Sequence, residues 1–264
     1  MSVLANDEIY ANRIFLNSVL PLLKVIVEEM PVFGKLWEGV DAVCQVSALG
    51  PEEKVGTHFL IEEGKWTVKR GIYEGNPHVE LEFPSVSALN LFFQGKSKKL
   101  PKMKGWYRLG LFLKFMRTLL KMAALLGMEE PPENEEEKAL LVKMYFYLLS
   151  AGISQLNKAG HPEISSWIKM SPDRVYAWEV ETHPGCSAYM RVKAGKSKAC
   201  RGIYQRSKPF FTMRFANLDS ALGILMSIDD MIEATVKGRI KMVGSPEYGA
   251  RIGDYMLIVG DYAK

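Results

Sequence analysis

Gly64-Lys-Trp-Thr-Val-Lys-Arg-Gly-Ile-Tyr73 returns 131 residues later as Gly195-Lys-Ser-Lys-Ala-Cys-Arg-Gly-Ile-Tyr204, with six of ten positions identical. Nothing else in the sequence limits the fold as much, because whatever one copy forms the second has to form too. The correspondence continues in order beyond the decapeptide. Val79, Leu81 and Phe83 answer Phe211, Met213 and Phe215; Ser87-Ala-Leu89 answers Ser220-Ala-Leu222; Lys102-Met-Lys-Gly105 answers Lys241-Met-Val-Gly244. A chance tetrapeptide does not extend through a strand pattern, a helix start and a Gly-terminated strand. The 264 residues suit two domains of about 130 each. The boundary is expected in Glu129-Glu-Pro-Pro-Glu-Asn-Glu135, where paired prolines and like charges oppose compact structure. This places a first unit at 1–128 and a second at 129–264.

Each copy reads as the same series of elements, of the α+β class. A mostly apolar helix opens it, at about 7–29 and 135–158, and strand segments follow near 42–48 and 175–181. The hairpin turns Glu62-Glu-Gly64 and Lys193-Ala-Gly195 put glycine where φ must be positive. Residues 78–83 alternate strictly. Val79, Leu81 and Phe83 share one face and His78, Glu80 and Glu82 the other, so one face should be buried and one wet. Short helices are expected after Ser85 and after Asn217 or Asp219, all competent N-caps. The second copy adds a helix at 227–235 that the first lacks, with Ser227 as its cap and Asp229, Asp230 and Glu233 complementing its dipole. A strand at 239–243 and a helix at about 246–260 close the chain.

Hydrophobic residues make up 48% and charged residues 24%, enough for a core without staples. Three scattered cysteines (Cys44, Cys186 and Cys200) form no CxxC pair and point to a reducing compartment. The start lacks a basic n-region, and Arg13, Asn17, Pro21 and Lys24 interrupt the first apolar stretch, unlike a secretory signal. No run reaches the roughly 18 uncharged apolar residues of a membrane span. A soluble, cytoplasmic chain is expected. Chemistry-bearing motifs fail one by one. Gly95-Lys-Ser97 and Gly195-Lys-Ser197 resemble the end of a phosphate-binding loop, but Asn90 and Met190 stand where its first glycine belongs. His58, His78, His161 and His183 lie far apart with no cysteine at ligand spacing. No GxSxG elbow and no recognisable cysteine nucleophile occurs. No metal, cofactor or catalytic role is implied.

The antiparallel strands, the short helix and then Lys237-Gly-Arg-Ile-Lys-Met-Val-Gly244 resemble the sterol-carrier-protein type of lipid-transfer domain. The best-matching stretch is 211–244, with a weaker echo at 64–105. The resemblance implies, in each unit, a mostly antiparallel sheet of about five strands covered by helices, with an apolar tunnel for a fatty acid, acyl-CoA, phospholipid or sterol-like molecule. It implies binding or transfer without catalysis. The alternative is a scaffold or accessory protein with collapsed cavities that assists a lipid-handling enzyme. The expected lining comes from the short and closing helices: Leu222, Leu225, Met226, Met231, Ile232, Met256 and Leu257, with Leu89, Phe92 and Phe93 in the first copy. Two departures stand out. The first copy lacks the 228–236 insert, and after Gly244 comes Ser-Pro-Glu-Tyr248, where the family more often has an acidic residue.

Net charge is +4, yet residues 95–128 hold nine Lys or Arg and no acid, and six glutamates follow within 129–137. At 100° per residue Lys114, Arg117 and Lys121 fall within a wedge of about 60° on an otherwise apolar helix. Such a stripe suits transient contact with an anionic membrane surface, or else is the solvated edge of a buried helix. Nucleic acid is not an expected partner, since overall charge is low and only Trp106 and Tyr107 could stack bases. A homodimer stays open.

Overall fold

The structure is a computed structural model describing residues 5–263, and the chain divides into two compact units. The first runs through Ala124 and includes Tyr262 and its successor; the second is Leu125–Asp261.

Unit one opens with α1 (Asn6–Ile14), a π-helical turn (Phe15–Val19), α2 (Leu22–Glu29) and α3 (Pro31–Trp37). The single helix expected over 7–29 is therefore broken. Pro21 has no N–H to offer the preceding turn and its ring crowds the carbonyl four residues back, so the helix widens and restarts. The sequence reading did not include α3; it begins on Pro31, whose missing donor is no loss in a first turn. Then come β1 (Ala42–Leu49), β2 (Lys54–Glu62), β3 (Lys65–Arg70), β4 (Val79–Phe83), α4 (Val86–Phe93), β5 (Lys102–Lys104) and α5 (Leu109–Leu126). Unit two repeats the plan with α6 (Glu135–Lys158), α7 (Pro162–Met170), β6 (Arg174–Val180), β7 (Ser187–Lys193), β8 (Lys196–Arg201), β9 (Phe211–Phe215), α8 (Leu218–Leu225), α9 (Met231–Val236), β10 (Ile240–Val243) and α10 (Pro246–Ala263). Asn6–Glu29 and Glu135–Lys158 are long and apolar enough to cross a bilayer by composition, which the sequence reading did not grant; both are mostly buried in the protein, as core helices are.

The two five-stranded sheets have one topology, β3-β2-β1-β4-β5 and β8-β7-β6-β9-β10. Each is mixed. The β1–β4 and β6–β9 pairs run parallel, and all other pairings run antiparallel. Registers coincide as the repeat requires. Cys44, Val46 and Ala48 oppose Val79, Leu81 and Phe83, while Tyr176, Trp178 and Val180 oppose Phe211, Met213 and Phe215. Both hairpins carry two successive positive φ values, at Glu63 and Gly64 and at Ala194 and Gly195, which is the two-residue turn that matches strand twist.

The glycine that ends the last strand of each copy has a steric cause. Gly105 and Gly244 have φ of +77° and +122°, and a Cβ on either would run into the carbonyl oxygen of His78 or Phe210 respectively. The caps hold as expected at two helices: Ser85 accepts from the Ala88 N–H at 3.0 Å and Asn217 from the Ser220 N–H at 2.8 Å. The added helix begins later than expected. Asp230, not Ser227, caps α9, accepting from the Glu233 N–H at 2.9 Å. Ser227 has φ of +60° and closes the turn after α8, and Asp229 leaves the dipole role to pair with Arg239 at 2.7 Å.

The outer face of the unit-one sheet corrects a second expectation. Glu80, read as wet, is 3% exposed. The segment after β3 folds over this face: the Tyr73 N–H donates to Gln45 Oε1 at 2.7 Å and the Tyr73 ring leans on His58 at 5.5 Å. Beneath it Gln45 Nε2 and Ser47 Oγ each donate to Glu80 Oε1 at 2.7 Å, and Lys54 and Lys104 bridge Glu80 to Glu82. In unit two the pair equivalent to Ser47 and Glu82 is Glu179 on β6 and Arg214 on β9, joined at 3.1 Å.

Candidate functional site

The inner face of the unit-two sheet carries Tyr176, Trp178 and Val180 on β6, with Phe211, Met213 and Phe215 beside them on β9. All six are essentially inaccessible. Phe146 of α6 stacks on Phe215 at 5.7 Å between ring centroids. The layer in which a tunnel is expected thus holds large side chains of the protein itself.

The closing helix α10 lies on this layer because Gly249, Ile252, Tyr255, Met256 and Val259 recur at helical spacing and are all buried. Met256 Sδ accepts from Trp178 Nε1 at 3.3 Å. Two glycines allow the close approach. A Cβ at Gly249 would stand 2.9 Å from Met242 Sδ, and one at Gly152 of α6 would collide with Val259.

At one end of the layer, polar groups converge. Arg174 opens β6 on the same face as Tyr176, since alternate residues share a face. Its guanidinium lies over the Phe210 ring at 3.9 Å and donates to Tyr248 Oη at 2.8 Å. Phe210 and Tyr248 meet edge to face at 4.9 Å, and Trp167 packs on Tyr176 at 5.2 Å. Two hydroxyls here, Tyr176 Oη and Ser171 Oγ, are buried and make no well-formed hydrogen bond among the described residues, although they stand near each other and near Arg174. Burial pushes the Tyr176 hydroxyl above its ordinary range, while Ser171 and Arg174 stand near enough to pull the other way. Leaving a buried hydroxyl unpaired costs about 1–3 kcal/mol. The hydrogen bond to Tyr248 occupies one of five guanidinium N–H donors, and Tyr176 stands near enough to engage another. Together these groups make a donor-rich cluster at the end of the layer, suited to an oxyanion or a strong acceptor.

Of the lining residues expected from sequence, Leu222 and Met256 are buried, and Leu225, Met226 and Met231 are half-buried. Met231 faces α10 across Gly253. Ile232 and Leu257 are a correction, at 76% and 62% exposed. Each directly follows an inward methionine in its helix and so is turned about 100° away from it. In unit one Leu89 is buried, while Phe92 and Phe93 pack on Phe83 at 5.2 and 6.1 Å and Phe93 stacks on Phe15 at 5.4 Å. The sequence reading missed Arg174, Ser171, Tyr176 and Tyr248. One signal was available: Tyr248 ends the Ser-Pro-Glu-Tyr segment where the chain departs from its resemblance. The histidines of unit one are structural. His58 Nδ1 lies 2.9 Å from Gly71 O, and His78 Nδ1 accepts from the Val43 N–H at 2.9 Å.

No protein-family profile matches the chain, and no curated protein does. Solved structures do. The palmitated SCP2L2 from Aedes aegypti is 18% identical, over 41% of this chain and 90% of that one, with a TM-score of 0.29. A UbiJ-SCP2 ubiquinone synthesis protein is 14% identical over 44% and 96%, with a TM-score of 0.28. The conserved hypothetical protein TT1886 from Thermus thermophilus is 15% identical over 52% and 91%, with a TM-score of 0.29. SCP2 structures, of the sterol-carrier-protein type suggested by residues 211–244, are therefore among those this chain resembles.

Proposed function

We propose that unit two binds an apolar molecule with an anionic or acceptor-rich head, and carries it without catalysing a reaction on it. The observation that supports this is the cluster of two buried hydroxyls, Tyr176 Oη and Ser171 Oγ, which lack well-formed hydrogen bonds, beside the Arg174 guanidinium. A head group there would replace the weak contacts among these groups with well-formed hydrogen bonds, and its tail would run between α10 and the sheet. Each methylene removed from water contributes about 0.8 kcal/mol, so affinity comes from the tail and orientation from the head. For such a tail to enter, α10 moves off the layer. The free thiols Cys44, Cys186 and Cys200 fit a reducing, cytoplasmic setting.

A specific observation favours a second reading, the accessory scaffold. Trp178, Phe211, Phe215 and Phe146 are fully buried between sheet and helices, as they would be in a protein that carries nothing.

Tyr176→Phe separates the two. In the protein without ligand, the change removes a buried hydroxyl that makes no well-formed hydrogen bond and should leave thermal stability about equal. In the carrier, it should also weaken palmitate binding. Arg174→Ala should weaken it further, by up to roughly thirtyfold, since losing a half-buried charged partner costs up to about 2 kcal/mol. Native mass spectrometry before and after organic extraction, then titration with palmitate, reads both effects. A protein of bare mass that takes up no palmitate would leave only the scaffold.

A further inference from the structure

The closing helix of unit one has two faces of different character. Toward the unit, Phe115, Thr118, Leu119 and Met122 are buried. Thr118 Oγ1 accepts from Trp37 Nε1 at 3.0 Å, and the Phe115 ring lies 6.0 Å from Phe59. The outward face is not the purely basic stripe that Lys114, Arg117 and Lys121 suggest. Leu109, Leu113 and Leu120 are exposed there, the last two at 55% and 64%, and at 100° per residue the three lie within about 40° of one another. Arg117, Lys121 and Lys114 follow along one margin of that stripe. Just ahead of the helix, Trp106 (66% exposed), Tyr107 and Leu100 also stand in the open. Lys98, Lys99, Lys102 and Arg108 are exposed among them. Lys104 is drawn instead into the Glu80 network.

Leucines in a row beside cations, with a tryptophan and a tyrosine at the helix start, are costly in water and favourable at one boundary. There, apolar side chains reach the acyl region, Trp and Tyr sit at head-group depth, and Lys and Arg meet lipid phosphates. We propose that the α5 face and the 96–108 segment dock on an anionic lipid bilayer. The occupant is argued from charge complementarity: residues 95–128 contain nine cations and no acid. This goes beyond ligand binding in unit two and does not depend on it.

The test floats the full chain with vesicles of phosphatidylcholine alone, or of phosphatidylcholine mixed with phosphatidylserine. Binding is expected to the mixed vesicles only, and to fall as salt is raised. Leu113→Ser combined with Leu120→Ser changes only exposed positions, so the thermal midpoint should hold while vesicle binding drops by about tenfold or more. Lys98→Glu combined with Lys99→Glu should lower it by a similar factor, about fivefold per lysine lost from the surface. Trp106→Phe should remove a lipid-dependent blue shift in fluorescence. The proposal is overturned if the parent chain ignores both vesicles, or if all variants bind as the parent does. It is equally overturned if the leucine variant turns a dimer into a monomer with vesicle binding unchanged, which would give the face to a second copy of the chain.

Discussion

Glu80→Gln should destabilise unit one by about 3 kcal/mol at neutral pH and blunt its sensitivity to acid. Burial by itself would raise this carboxyl. The hydrogen bonds from Lys54, Ser47, Gln45 and Lys104 outweigh that effect and hold it at about 2, against an ordinary 4.5. A difference of that size is worth about 1.4 kcal/mol per pH unit, hence about 3 kcal/mol in all. The group is buried, so little of this is screened away. Its folded value lies below its unfolded one. The stability it contributes is therefore fully present above about 4.5 and drains away as pH falls toward about 2. Glutamine keeps the shape and loses the charge, leaving Lys54 and Lys104 to share Glu82 alone. Hydrogen exchange of β1 and β4 amides, read near neutral pH and at about pH 3, reports the effect where it acts. Equal protection of variant and parent at neutral pH would show that the network contributes nothing net.

Gly152→Leu should lift α10 from α6 and cost roughly 1–3 kcal/mol, and Val259→Ala in the same chain should restore most of it. The argument rests on space. No side chain fits at residue 152 without displacing Val259, and Val259 is fully buried. Helix propensity works in the opposite direction, since replacing an interior glycine gains up to about 1 kcal/mol. A net loss therefore isolates the steric effect. Thermal unfolding of the two single variants and the pair gives the coupling directly. A Gly152→Leu chain as stable as the parent would mean that α10 sits elsewhere in solution. Because Tyr248 rides on the same helix, such a result would also dissolve the Arg174 cluster.

The repeat made most of the fold legible in the sequence. Once Gly64–Tyr73 was aligned with Gly195–Tyr204, the series of elements along the chain and the hairpin turns followed from spacing, with Ser85 as one cap and Asn217 or Asp219 as the other; the order of strands in the sheet and its parallel pairs did not. What stayed hidden depends on where a connecting segment goes. Alternation in 78–83 assigns Glu80 correctly to the face opposite Leu81, but no pattern says that Tyr73 will be folded over that face. The broken first helix was written at Pro21 and simply outweighed by the apolar residues around it. The candidate site was the least readable part. Ser171, Arg174 and Tyr176 are close in sequence, yet Tyr248 and Phe210 join them only through the sheet, and a linear chain does not show convergence. Ile232 and Leu257 were assigned by the element they occupy, which fixes a helix but not the direction of one side chain.

The different charges on the two outer faces bear on how a doubled chain avoids mispairing as it folds. In the native registers Ser47 stands opposite Glu82, and Glu179 opposite Arg214. A hybrid sheet that laid β4 beside β6 would bring Glu82 and Glu179 face to face, and like charges directly opposite are unfavourable. Inner faces that look alike would accept either partner; the outer face of β6 favours Arg214 of its own repeat over Glu82 of the other.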